Sequence, residues 1–234
     1  VYDYTGFVQA QQEMELKAQV SGQITAKYFK GGDNVSAGQT LYAIDQRTYQ
    51  ANVLNAQAGL ANARAALANA ALNAERYSTL YAQNAISKQV LDNAIMQRDQ
   101  AQASVNAQEA ILENAQINMT DTSVSAPFSG RIDTTALEVG NYVTAGQTTL
   151  AKISNTDPVF VQFSIAEPEY LKLSGAHDNS GAASLDNLTV VLSDGSTYDL
   201  KGTVAEVNRG INDNTGTMTV KALFRNPAHR LLPG

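Results

Sequence analysis

His177 and His229 are the only imidazoles in a chain of 234 residues, and there is no cysteine. Those two facts narrow the chemistry that the chain could perform. General-base and nucleophilic catalysis need an imidazole or thiolate set beside an acid or an alcohol, and neither histidine stands near a plausible triad. The missing cysteine removes disulfides, thiolate catalysis and Cys-ligated metal. NDNTG, residues 212–216, offers oxygen ligands but lacks the spaced carboxylates and closing Glu of a calcium loop, and reads as a β-turn. Gly31 and Gly32 do not open a helix, so no phosphate cradle is expected there. The four methionines are not clustered, which argues against a soft-metal site. The expectation is therefore a protein without catalytic residues, metal or cofactor.

Composition agrees with a folded chain: 44% hydrophobic and 16% charged residues leave little room for disorder. A net charge of -6 with scattered Lys and Arg excludes an electrostatic grip on nucleic acid. No run approaches the ~18 consecutive apolar residues of a membrane-spanning helix. Val1 does not begin a charged-then-apolar leader, and the sequence stops at LLPG, so it reads as a mature protein or an excised fragment.

The elements follow from a sharp change in composition. From Gln46 to Ala126 there is no proline and one glycine, Gly59, whereas all five prolines lie at or beyond Pro127. Eleven of the twenty-six residues from Ala51 to Arg76 are alanine, the strongest helix former. Val53, Leu60, Leu67, Ala74 and Tyr81, with Ala56, Ala63, Ala70 and Tyr77, make a charge-free heptad seam. A weaker seam runs from Leu91 to Met119, interrupted by Arg98 and Gln108. Two helices of matched length, about 36 and 32 residues and about 50 Å long, predict an antiparallel hairpin over 46–119 with its tip at 82–87. Asp45 is expected to cap the first helix, with Ile44 and Tyr49 as a staple, and Ser87 the second, with Ile86 and Leu91.

Flanking the hairpin, one short β-unit is written twice. Gly22, Gly32, Val35, Gly38 and Gln39 match Gly130, Gly140, Val143, Gly146 and Gln147 at a constant offset of 108 residues. A unit of some twenty-five residues cannot bury its own apolar face, so the copies are expected to close on each other, 18–45 with 120–154. The hairpin then grows from the junction of a split domain. Beyond it, Val159, Val161, Phe163 and Ile165 alternate, as do Met218, Val220, Ala222 and Phe224, and Asp194-Gly195 suits a hairpin turn. EPEYLKL, with Pro168, suits a short helix. Residues 155–234, with part of 1–17, are assigned to a β-barrel.

The paired SG…G…V.AGQ halves resemble the lipoyl or biotinyl carrier fold, and their interruption by a helical hairpin resembles the periplasmic adaptors, or membrane fusion proteins. The stretch from NLTVVLSDGS to LLPG resembles the barrel of adaptors serving resistance-nodulation-division (RND) efflux pumps. That resemblance implies an α+β multi-domain fold: a split lipoyl-like β-sandwich, an inserted coiled-coil hairpin and an antiparallel β-barrel. It implies a non-enzymatic subunit in the periplasm of a Gram-negative bacterium, bridging an inner-membrane RND transporter to an outer-membrane channel and self-associating into a ring, a hexamer in the family. Further, it implies a membrane-proximal domain and an anchor that this sequence does not contain.

The resemblance also implies a docking motif at the hairpin tip, carried here by Arg76, Leu80 and Ser87. The heptad frame puts Arg76 at c and Leu80 at g, off the main seam and one turn apart. Taken without the resemblance, Leu80 equally suits a wider seam and Ser87 an N-cap. Two other functions share parts of this pattern. An adaptor of an ABC-type exporter or metal-efflux system shares the repeat. A carrier domain or free coiled-coil scaffold would need a modified lysine at the turn joining the halves, where the hairpin stands; Lys27, Lys30 and Lys152 read as surface lysines.

Overall fold

The computed structural model of the protein describes residues 3–166, 186–212 and 217–233. The first copy of the repeat supplies β3 (Gly22–Lys27), β4 (Asn34–Val35) and β5 (Thr40–Ile44); the second supplies β7 (Gly130–Ile132), β8 (Tyr142–Val143) and β9 (Thr149–Ser154). With β2 (Glu13–Lys17) and β6 (Ser123–Ser125) they form two sheets, β2-β9-β7-β4 and β6-β5-β3-β8. Each sheet thus borrows the short strand of the other copy. Gly22 lies opposite Val143, and Val35 opposite Gly130, the same contact made twice.

Hydrogen bonding follows this internal two-fold symmetry. The Ala145 N–H donates to Ser21 Oγ and the Ala37 N–H to Ser129 Oγ, both at 2.9 Å. The Gly32 N–H reaches the Ile132 carbonyl and the Gly140 N–H that of Ile24, both at 2.8 Å. Gly32, Gly38, Gly140 and Gly146 all have φ between +72° and +99°, which is why glycine recurs at these turns. Between the sheets, Ile24, Leu41, Tyr42 and Ile44 of one copy pack with Ile132, Val143, Leu150 and Ile153 of the other, all essentially inaccessible to solvent. Truncating any of these aliphatics to alanine removes about 2–5 kcal/mol, so neither half has a core without the other.

Two expectations are corrected here. β2 lies along β9, from Glu13 opposite Ser154 to Lys17 opposite Thr149, so the module begins at Glu13 and not at residue 18. Lys27 is not a surface lysine: its side chain is 13% exposed, ion-paired to Glu138 at 2.8 Å, and it donates to the Leu137 carbonyl at 3.1 Å. Lys152 is half-exposed and paired with Glu13, and this hydrogen-bonded partner raises its pKa.

Between the copies stand α1 (Arg47–Ala82, 36 residues) and α2 (Lys88–Thr120, 33 residues). At a rise of about 1.5 Å per residue they reach roughly 54 and 50 Å. Val53, Ala56, Leu60, Ala63 and Ala74 are buried in the α1 seam, facing Ala94 and Val105 of α2. Gln108 remains in the seam because Gly59 leaves it room; a Cβ there would lie 2.7 Å from Gln108 Oε1. Arg98 turns out to solvent and pairs with Asp99 at 2.7 Å. The fully buried part of the seam ends at Ala74: Tyr77 and Tyr81 are 37% and 40% exposed, because α2 is only beginning at that height.

At the base, Asp45 acts one residue upstream of the helix boundary. Its Oδ1 accepts the Arg47 N–H at 3.1 Å, and its Oδ2 accepts the Arg47 guanidinium at 2.6 Å. Hydrogen bonds from Arg47 lower the Asp45 pKa to about 2. A depressed carboxylate stabilises the fold fully above its ordinary value of 3.8, and this contribution disappears as pH falls through about 2. The Arg47 amide resonance is therefore expected to titrate with a midpoint near pH 2, and Asp45→Asn to abolish that titration. A midpoint near 4 in an NMR titration would show that the Arg47 contacts do not persist in solution.

β1 (Gly6–Ala10), β10 (Val159–Ala166), β11 (Asp186–Leu188), β12 (Gly202–Asn212) and β13 (Thr217–Phe224) form the antiparallel barrel sheet, in the order β1-β10-β13-β12-β11. The two alternating segments pair with each other, Val159 opposite Phe224 through Ala166 opposite Thr217, and their apolar faces are buried together. Gly202 is required by close approach, since a Cβ would lie 2.3 Å from the Phe224 ring. The expected turn is present: the Gly195 N–H donates to the Leu192 carbonyl at 2.9 Å, with Gly195 at φ +81°. The Pro168 helix, His177 and the turn inside 212–216 lie outside the described residues.

One buried polar residue ties the last described segment to the sheet. Asn226 is fully buried; its Nδ2 donates to the carbonyls of Thr156 and Leu231, both at 2.8 Å, and its Oδ1 accepts the Leu231 N–H at 3.1 Å. The Asn226 N–H in turn donates to Asp157 Oδ1 at 2.6 Å.

Candidate docking site at the hairpin tip

The tip is built by two helix ends with different chemistry. α1 closes on Asn84, held at φ +56°, with the Ala85 N–H donating to the Leu80 carbonyl and the Asn84 N–H to that of Tyr81, both at 2.9 Å. This is a Schellman closure, in which asparagine replaces the usual glycine because it tolerates the left-handed conformation. The chain then extends through Ser87 (φ -77°, ψ 155°), whose carbonyl accepts the Val90 N–H at 3.1 Å. Ser87 therefore stands at the N-cap position, but its hydroxyl makes no capping hydrogen bond, contrary to the sequence expectation.

Arg76 and Leu80 lie on the last two turns of α1, four residues apart and therefore on one face. Arg76 is exposed and, among the described residues, has no acidic side chain within ion-pair distance. Leu80 is 36% exposed although its carbonyl is fixed by the turn, and Ser87 is exposed across that turn. Tyr77, Tyr81 and Val90 add exposed apolar surface at the same end. The tyrosines were hidden from sequence reasoning by their seam positions. The available signal was the size mismatch of two rings following a seam of alanine. A cation beside a leucine and two amphipathic rings is suited to a partner helix: apolar side chains for burial, guanidinium and phenols for orientation.

The other concavity of note lies between module and barrel, about 220 Å³, lined by Asn34, Val35, Ser129, Gly130, Asn155 to Asp157 and His229. His229 is engaged there, its Nδ1 3.0 Å from Thr156 Oγ1. Among the described residues no group of acidic or imidazole side chains is arranged to hold a metal ion.

A β-module made from both flanks of a helical hairpin with an exposed tip, and continued by an antiparallel barrel sheet, defines an adaptor-type architecture. Family comparison agrees in detail. The barrel-sandwich hybrid domain of RND membrane fusion proteins matches residues 12–154, and their β-barrel domain matches residues 158–234. The chain is 39% identical over 224 residues to the multidrug export protein AcrE of Escherichia coli K12, covering 94% of this chain and 58% of that one. It is 37% identical over 225 residues to the multidrug efflux pump subunit AcrA of the same organism, covering 94% and 56%. A solved MacA–MexA chimera carrying the Pseudomonas aeruginosa MexA α-hairpin superposes with a TM-score of 0.69 at 28% identity, covering 99% of this chain and 74% of that one. The chain belongs to the RND membrane fusion proteins, and it spans a little over half the length of these two E. coli relatives.

Proposed function

We propose that this chain is the central part of a periplasmic adaptor that bridges an inner-membrane RND transporter to an outer-membrane exit duct and supports export of drugs or other small molecules. The observation that carries this reading is the tip: Arg76, Leu80 and Ser87 are exposed at the far end of a rod about 54 Å long, whose base is locked into the split β-module. The adaptor does no transport chemistry. Barrel and membrane-proximal regions face the pump, the split modules of several copies form a ring, hexameric as in the family, and the tips meet the duct. An anchor outside this sequence holds the assembly at the inner membrane; no described helix is long and apolar enough to cross one. The carrier alternative is disfavoured because the hairpin occupies the turn where the modified lysine would stand, and Lys27 is engaged inside the module.

No cysteine occurs within these 234 residues, so single cysteines introduced at Arg76 and at Ser87 are unique thiols in this part of the protein and serve as cross-linking probes in the full-length protein in cells. Both are expected to yield an adduct with an outer-membrane channel protein. Adducts with the inner-membrane transporter alone would reverse the proposed polarity and remove the docking role of the tip.

A further inference from the structure

The hairpin leaves its two outer edges uncharged. In the heptad frames that put Val53 of α1 and Leu91 of α2 at a, position f points away from the partner helix, where a solvated helix ordinarily carries its charge. The two helices hold ten charged residues, and none is at f. On α1 the f residues from base to tip are Ala51, Ala58, Ala65, Leu72 and Thr79. On α2, also from base to tip, they are Ile117, Ala110, Ala103, Met96 and Gln89. All ten are exposed, Leu72 at 54%, Met96 at 60% and Ile117 at 52%. Helix propensity explains an alanine at such a place but not a leucine, methionine and isoleucine left in water.

The two edges also match in height. Arg47 begins α1 where Thr120 ends α2, Ala82 ends α1 beside the start of α2 at Lys88, and Gly59 meets Gln108 in between. On this scale each f residue of α1 is level with one f residue of α2, to within about two residues or 3 Å of rise. Leu72 is level with Met96, Ala65 with Ala103, Ala58 with Ala110, and polar Thr79 with polar Gln89. At these four levels large stands opposite large, small opposite small and polar opposite polar, whereas at the base small Ala51 is level with large Ile117; within one chain the two edges face in opposite directions.

A cyclic ring keeps every copy at the same height and joins unlike faces head to tail. We propose that the outer edge of α1 in one copy packs against the outer edge of α2 in the next, with Leu72 against Met96 as the anchoring pair and the alanine levels below them allowing close approach. This rests on the ring reading above and adds to it the contact face, its polarity and its register.

The test uses full-length protein in cells with its pump. Leu72→Cys combined with Met96→Cys is expected to give a ladder of cross-linked oligomers with a short thiol cross-linker, at least tenfold more than Leu72→Cys with Ala110→Cys, a pair offset by about 21 Å. Native mass spectrometry of the same protein counts copies independently. An oligomer without the ladder, or with equal ladders from both pairs, overturns the lateral contact while the ring stands. A protein that never oligomerises overturns the ring reading and the contact together. A second arm works by charge: Leu72→Glu should disperse the oligomer and Leu72→Glu with Met96→Lys should restore it; failure of the paired variant to outperform the single one also overturns the register.

Discussion

Leu80→Ser and Arg76→Asp are each expected to abolish efflux while the protein accumulates at its normal level with an unchanged thermal transition. Stability is spared because both side chains are exposed and neither fills the seam, so the substitutions belong to the surface class worth about 0.5 kcal/mol or less. Function is not spared. A leucine buried in a partner's groove contributes about 1.5–3 kcal/mol, and reversing a charge at a desolvated contact costs about 2–5 kcal/mol. Each loss is repeated in every copy of a ring, so a modest weakening per tip multiplies across the assembly. Drug susceptibility, immunoblot intensity and circular dichroism of the same strains decide the matter. Normal resistance with either variant removes the docking role from the tip. Tyr77 and Tyr81 offer a graded series at the same end, since their exposure places them beside the motif and not beneath it.

The second large effect lies at Asn226. Replacing it with leucine preserves volume and removes every side-chain hydrogen bond at a fully buried position. The Leu231 N–H and the carbonyls of Leu231 and Thr156 then have no side-chain partner, at a cost of roughly 1–3 kcal/mol for each group left unsatisfied. The Tyr198 hydroxyl, 3.2 Å from Asn226 Oδ1, keeps its 2.9 Å bond to the Arg225 carbonyl, so that ring should stay in place. The barrel sheet is therefore expected to lose protection against amide hydrogen exchange along β10 and β13 while α1 and α2 retain theirs. Asn226→Asp separates donors from shape, since it keeps the acceptor for the Leu231 N–H and loses both amide donors. Equal protection in wild type and in the leucine variant would show that the closing segment is held by Leu231 and its apolar neighbours alone.

Much of the architecture was legible because it is written in periods. Heptads marked the hairpin through Val53, Leu60 and Leu67, and the glycines of the repeat marked the halves of the module through turns that need positive φ. β2 was not legible because only Leu16 is buried in it; with Glu13, Met14 and Glu15 exposed, alternation cannot tell which sheet takes the strand. Asn226 was invisible for a different reason. Its partners arrive from Thr156 and Leu231, and no local pattern announces a buried amide whose bonds span seventy residues. At the tip, heptad arithmetic put Arg76 and Leu80 off the seam, but it also put Tyr77 and Tyr81 on it, because a repeat does not register where the opposing helix runs out.

The way the helices are rooted has a mechanical consequence. The hairpin leaves the module through two adjacent strands, with the Ile44 N–H on the Thr122 carbonyl at 2.8 Å and Asp45 gripping Arg47 just above. A rod of about 54 Å turned through about 10° at such a root carries its free end about 9 Å. Side-chain rearrangements of an ångström or two among the residues at that root are thereby geared up into a stroke comparable with the spacing between neighbouring helices. Turned at this root, the hairpin would act as a lever whose fulcrum is the seam between repeats, and the length of the arm can change by whole heptads without altering either half of the fulcrum.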